Sequence, residues 1–347
     1  MSDNAQYFAR LAQTDDWFAE YHTYDDIVWW SGDLAARFPH LVRFVPSIGR
    51  THEGRDIPML RITAPGGDGG KERKRVWLQS LQHAREWISG STLQYIAEKL
   101  VGGYGKHSRV TRLLKQVEFV LVPVVNPDGY TYTWTTDRLW RKNRRDNGDG
   151  TFGVDLNRNW PDHWSSKGLW TQSSSVIYPG PSAASEPEVQ ALMQAYLKTP
   201  NVVAVVDIHS YSQLLLRPFG WGRTLDAGER QYREVADQLV KDLALARGSR
   251  YTSEHAVDLY QAKGIAIDWW AGAGQQKRQA DSARAGSTRP YAFTLELSPK
   301  DDEELGDSGF VLPPSAIRKV GEDVWPMILH LAEIGLTQPL VSRAGAT

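Results

Sequence analysis

His83 and Glu86, three apart in Gln82-His83-Ala84-Arg85-Glu86-Trp87, bring an imidazole and a carboxylate close together in the chain. On a helical turn such positions share a face, so the pair can converge on one cation. Alone this is a weak signal, because a glutamate at a helix start is also stabilised by the positive end of the helix dipole. A third residue strengthens it: His209 follows the apolar run Val202 to Ile208, where a sheet places functional groups at its strand ends. Two imidazoles and one carboxylate leave one zinc position open, as a hydrolytic zinc site requires. Such a site also needs a base, and Glu296 in Thr294-Leu295-Glu296-Leu297 is the candidate. A carboxylate inside an apolar strand is costly to bury unless it is paired or functional. The competing reading is an outward-facing strand residue, since alternation puts Glu296 with Thr294 and opposite Leu295 and Leu297. His22, His40, His52, His107, His163, His255 and His330 lack comparable context and read as surface or packing residues.

Positioning these groups is the task of four strand-like runs rich in β-branched and aromatic residues: Arg75 to Leu81, Val117 to Val125, Val202 to Ile208 and Tyr291 to Leu297. Helix-like stretches alternate with them, among them Ser91 to Leu100 and Glu186 to Leu197. This order predicts an α/β sheet with helices packed on its faces. Thr23 and Asp26 ahead of Ile27, Trp30, Leu34 and Phe38 predict a capped amphipathic helix. Asn126 to Tyr178 reads as one long, functional loop. No linker or internal repeat divides the chain, which predicts one domain.

Composition narrows the chemistry. With 41% hydrophobic and 23% charged residues, the 347-residue chain has globular values, which argues against disorder or a fibrous fold. A net charge of −1 gives no bulk attraction to nucleic acid or an anionic membrane, and neither is expected as a partner. The absence of cysteine excludes disulfides, thiolate metal sites and cysteine nucleophiles, leaving histidine and carboxylate as the strong metal ligands. No apolar run reaches the ~18 residues of a membrane span. No signal-peptide layout, N-glycosylation sequon or prodomain is visible, which leaves the compartment open between a processed extracellular form, the preferred reading, and a cytoplasmic one.

Several motifs in order carry a family resemblance. Tyr21-His22-Thr23, Ile48-Gly49-Arg50-Thr51-His52-Glu53-Gly54-Arg55, the His83–Glu86 segment and Asn126-Pro127-Asp128-Gly129-Tyr130 are followed by Trp140-Arg141-Lys142 and Asp155-Leu156-Asn157-Arg158-Asn159. Ile208-His209-Ser210-Tyr211-Ser212, Leu259-Tyr260-Gln261 and Thr294-Leu295-Glu296 complete the set. The chain resembles the zinc metallocarboxypeptidases of the carboxypeptidase A type, the M14 or funnelin family, from about Tyr21 to Leu336. The resemblance implies a single-domain, mixed, twisted β-sheet with helices on both faces, carboxypeptidase A-like (phosphorylase/hydrolase-like). It implies an N-terminal extension over 1–20, a catalytic domain over 21–336 and a C-terminal tail over 337–347. It further implies one zinc ion per chain on His83, Glu86 and His209, with Glu296 as general base and proton shuttle toward the attacking water. Arg141 would polarise the scissile carbonyl, and Asn157, Arg158 and Tyr260 would hold the substrate's terminal carboxylate. Arg85 and Tyr211 would line the adjoining subsites. The implied substrates are peptide or protein C-termini, and the implied working form is a monomer.

Physical chemistry supports two of those roles independently. A planar guanidinium binds a carboxylate through two parallel hydrogen bonds, which suits Arg158. A fixed positive charge aimed at a developing oxyanion acts mainly in the transition state, which suits Arg141. Lys142, Arg144 and Arg145 read instead as a solvated basic loop.

The residue matching the family's selector of the C-terminal side chain is Ile267, with Leu216, Gly220 and Thr294 as further walls. An apolar slot cannot compensate a buried Lys or Arg charge, so hydrophobic or aromatic C-terminal residues are expected. Three features depart from the A-type pattern. Lys263 and His255 put cations near the slot and could admit acidic side chains; Ile265 is bulkier than the small residue often found there; and Ala271 to Arg289 is an extra hydrophilic loop, either a gate at the funnel mouth or a surface insertion. Gly66 to Lys71 and Asp146 to Gly150 match neither a phosphate loop nor a calcium loop and read as turns. Two other functions compete: an amidohydrolase acting on acyl-amino acids or cell-wall peptides, and a catalytically silent peptide-binding relative.

Overall fold

The structure is a computed structural model that describes residues 17–66, 73–167, 171–223, 228–247, 249–272, 288–301, 305–338 and 341–342. Thr23 caps α1 (Tyr24–Arg37) as expected: its hydroxyl accepts from Asp26 N–H, and the Asp26 carboxylate accepts from Thr23 N–H. Strands β1 (Val42–Val45), β2 (Met59–Ile62) and β3 (Lys74–Ser80) lead into α2 (Trp87–Gly103) and α3 (Ser108–Gln116). Then come β4 (Val117–Val122), α4 (Pro127–Thr135), α5 (Pro187–Leu197), β5 (Val202–Ser212), β6 (Leu214–Arg217), α6 (Glu229–Arg247) and β7 (Thr252–His255). A one-turn α7 (Ala256–Leu259) and α8 (266–272) precede β8 (Thr288–Arg289), β9 (Tyr291–Lys300), α9 (Ala316–Thr337) and β10 (Val341–Ser342).

Eight strands form one mixed sheet in the order β1-β2-β4-β3-β5-β9-β6-β7, while β8 and β10 pair separately. The four runs predicted from sequence are the four central strands β4, β3, β5 and β9, mutually parallel. Parallel strands buried on both faces read as continuous apolar runs, which is why they were legible. One face packs Val76, Leu78, Phe119 and Phe293 against α1, α2, α3, α6 and α9. The other packs Trp77, Val120 and Val205 against α5 and α8. Helices therefore cover both faces, as the fold reading required.

Two sequence expectations need correction. Asn126 to Tyr178 is not one loop: it opens with α4, whose cap Asn126 accepts from Gly129 N–H and whose first residue is Pro127, a strong local start signal. The basic segment is not solvated either. Arg144 stacks on Tyr132 and Trp140, Lys142 is buried and donates to Ser173 O, and Arg145 pairs with Glu186. Nearby aromatic rings cover Lys142 and Arg144, and a distant carboxylate holds Arg145, contacts that charge patterning alone does not reveal. The extra loop lies outside the described residues over 273–287, as do 67–71 of the first glycine-rich stretch, 1–16 of the N-terminal extension and most of the C-terminal tail.

Candidate metal centre and adjoining cleft

Because β3, β5 and β9 run parallel, their carboxyl ends meet at one edge of the sheet. His83 and Glu86 follow β3 in a turn, not in a helix; Glu86 is the N-cap residue of α2. The turn still brings them together, with His83 Nδ1 at 2.7 Å from Glu86 Oε1. His209 lies in β5, in register with Glu296 of β9. Its Nδ1 is 2.9 Å from Glu86 Oε2 and 3.1 Å from His83 Nδ1. All three side chains are buried.

The second ring nitrogens are occupied. His83 Nε2 is 3.1 Å from Asp155 Oδ1, and His209 Nε2 is 2.8 Å from Asp207 Oδ2. Asp207 shares His209's face of β5 and also accepts from the Gln79 and Gln82 amides. These contacts assign Nε2–H to each neutral ring, which turns both Nδ1 lone pairs toward the Glu86 carboxylate. In that neutral form three acceptors converge with no hydrogen between them, an arrangement that a bound cation relieves and that otherwise draws a proton onto an imidazole. The donor set, two imidazoles and a carboxylate braced by outer carboxylates, fits one zinc ion. Electrostatics agree: burial opposes charge, yet the Asp207 and Glu86 carboxylates hold the His209 imidazole's pKa high, and His83 and His209 hold that of Glu86 low.

Asp155 links this centre to the cleft. Besides His83 it accepts from Arg141 Nε and from Asn157 N–H, at 3.0 and 2.9 Å. Arg141's own carbonyl accepts from Ala84 N–H, which ties its segment to the His83 turn. Asn157, Arg158, Tyr260, Ile267 and Glu296 all line one slot beside the centre. Arg158 Nη2 donates to the Tyr260 hydroxyl (3.1 Å), and Asn157 Oδ1 accepts from Ala266 N–H (2.8 Å). Gly264 makes this closure possible: its φ is +68°, and a β-carbon there would lie 2.3 Å from Arg158 O. Half-buried Glu296 is pushed up to about 8 by loss of water, with Glu86 and Asp207 adding to the effect and His209 and Arg141 opposing it. A cation held by the triad acts in the opposing direction.

Arg85 and Tyr211 stand apart from the slot, around the turn Gly306–Phe310. The Arg85 guanidinium lies 4.0 Å over the Phe310 ring, and the Tyr211 hydroxyl donates to Gly306 O. Neither departure flagged for charge reaches the slot lining. His255 is held by Glu229 and Pro218 O, and Lys263 lines a neighbouring cavity of ≈ 150 Å³. His52 has partners that the sequence did not suggest, the buried Glu186 and Glu188. That space is already filled: Asn143 Nδ2 donates to both carboxylates, and Arg145 pairs with Glu186.

Sequence reasoning did not single out Asp155 or Asp207 as functional. Signals existed for both: an acid two residues before His209 in an apolar strand, and the acid heading Asp155-Leu156-Asn157-Arg158.

A family model described as zinc carboxypeptidase (Peptidase M14) matches residues 27–327. A carboxypeptidase B of Astacus astacus is 34% identical over 89% of this chain and 95% of the relative. Carboxypeptidase A4 of Mus musculus is 35% identical over 89% of this chain and 68% of its own. Among solved structures, thrombin activatable fibrinolysis inhibitor superposes with a TM-score of 0.82 at 30% identity, covering 94% of this chain and 77% of the other.

Proposed function

Because this chain belongs to the zinc carboxypeptidase family, an assignment that carries exopeptidase activity and a zinc site, we propose that it prefers peptides ending in a hydrophobic residue, aliphatic or aromatic. Relatives named for A-type and B-type enzymes match it equally well, so the preference is argued from the slot. The observation that carries it is the joining of a guanidinium to an apolar wall: Arg158 and Ile267 line the same slot as Glu296, and the described lining holds no carboxylate besides Glu296. A Lys or Arg side chain buried there would find no counter-charge of its own. The catalytic unit is assigned to residues 21–336.

In this reading Arg158, with Asn157 and Tyr260, grips the terminal carboxylate, which places the last peptide bond beside the triad. Bound zinc supplies Lewis acidity, polarising a carbonyl and acidifying water. Glu296 takes the proton from the attacking water and returns it to the departing amine. Arg141 faces the oxygen that gains negative charge, and losing one such donor commonly costs roughly 10²–10³ in rate. Asp155 holds both Arg141 and His83 and so fixes the oxyanion donor relative to the metal. Arg85 and Tyr211 contact residues upstream of the scissile bond. A silent binding protein would need none of this coupling between base, oxyanion donor and ligand.

The test is a panel of blocked dipeptides ending in Phe, Leu, Lys, Arg or Glu, each run with and without chelator and with a C-terminal amide counterpart. Cleavage of the hydrophobic members, abolished by chelator and by amidation, is expected. A preference for Lys or Arg overturns the slot argument, and equal cleavage of amidated peptides overturns the role of Arg158.

A further inference from the structure

Resting on the reading of the slot as the seat of the substrate's last side chain, we propose that Ile265 sets the depth of that seat and, within the hydrophobic class, ranks short aliphatic C-terminal residues, alanine and valine, ahead of phenylalanine. Ile265 is buried and lines the slot. Its Cδ1 would lie 2.5 Å from a β-carbon on Gly220, so its terminal methyl rests on the Gly220 backbone behind the slot wall.

Neither surface of that contact is free to retreat. Gly220 N–H donates to both Asp268 carboxylate oxygens (2.9 and 3.1 Å), and Trp221 N–H donates to the same carboxylate. Gly220 O accepts from Ala262 N–H at 2.9 Å. On the other side, Ile265 follows Gly264, whose backbone is wedged against Arg158 O, and its own carbonyl accepts from Trp269 N–H in α8. Leu216, Ala256 and Ile267, all buried, occupy further walls. The remaining space is ≈ 30 Å³. A benzene-sized group occupies a cavity of about 150 Å³, several times what is open here, and an isopropyl group roughly half that, so seating a short side chain displaces the walls far less than seating a ring. Interiors packed at this density give way only at a cost, so the bulk of Ile265 discriminates against aromatic rings.

The experiment measures kcat/KM on the zinc-loaded full chain for blocked dipeptides ending in Ala, Val, Leu and Phe, with Lys included. Wild type is expected to favour Val over Phe by about tenfold or more, the scale on which a pocket discriminates small changes in apolar bulk. Ile265→Ala and Ile265→Gly should shift the Val-to-Phe ratio toward Phe by about tenfold, with Ile265→Val, which removes only Cδ1, shifting it in the same direction by less. Zinc content and thermal unfolding of each variant establish that it is folded, and the mild Ile265→Val change keeps the series informative if the larger ones destabilise. A wild-type preference for Phe over Val, or a ratio unmoved across the folded variants, overturns the role of Ile265 while leaving the hydrophobic reading intact. A preference for Lys would instead overturn that reading.

Discussion

Replacing Asp155 with asparagine keeps the shape and removes the charge from a carboxylate that serves three partners. In the native chain its oxygens accept from His83 Nε2, from Arg141 Nε and from Asn157 N–H, and the side chain is fully buried. Burial alone would raise its pKa, yet the Arg141 guanidinium, then His83 and Arg158, hold it well below the usual carboxylate range. The amide of Asp155→Asn offers one acceptor oxygen and turns an N–H₂ toward groups that are themselves donors. Removing one partner of a buried pair costs about 3–5 kcal/mol, and Arg141 keeps 12% of its side chain exposed, so about 3 kcal/mol of unfolding free energy is expected to be lost. Weakened bracing of His83 should lower zinc affinity by about 10–100-fold, the usual consequence of losing an outer partner of a metal-ligating histidine. Competition with a chromophoric chelator measures the affinity, and urea unfolding of the metal-free protein measures the stability. A zinc affinity within about twofold of wild type, together with stability within about 0.5 kcal/mol, would refute the claim that Asp155 couples ligand and oxyanion donor.

Two further substitutions separate chemistry from packing. Glu296→Gln should retain zinc and bind peptide while turnover falls by roughly 10²–10⁴, as for loss of a general base; full turnover would remove Glu296 from the mechanism. Glu188 is buried beside Glu186, with its Oε2 held by Asn143 and its Oε1 unpartnered, and burial followed by the Glu186 charge pushes it up to about 7. A carboxyl whose folded value lies above its ordinary one binds its proton more tightly in the native state, so stability falls as pH rises from about 4.5 through 7. Glu188→Gln removes that loss, so its unfolding free energy should fall less than that of wild type between pH 5 and 8, by up to about 3 kcal/mol. Parallel pH profiles in urea unfolding would contradict this.

The four central strands were legible because a strand buried on both faces needs a run of apolar residues, as in Phe119–Val122. The flanking strands were not, because β1, β2, β6 and β7 have four residues each, and β7 reads Thr-Ser-Glu-His, a sequence without strand periodicity. His83, Glu86 and His209 stood out by residue type after apolar strand-like runs, and Glu296 as a carboxylate inside one. The groups that brace them did not, since Asp155 is 72 residues from His83 and meets it only through the fold. Arg144 shows the same limit from the other direction: its charge suggested solvent, and its partners Tyr132 and Trp140 became visible only in three dimensions. Residue type announces chemistry, whereas the environment that tunes it is tertiary.

The convergence of His83, Glu86 and His209 on a single cation is tested most directly by elemental analysis of the purified full chain after loading with zinc and exhaustive dialysis. One zinc per chain is predicted. Zinc no higher than in the dialysis buffer would contradict the metal centre and every role assigned around it.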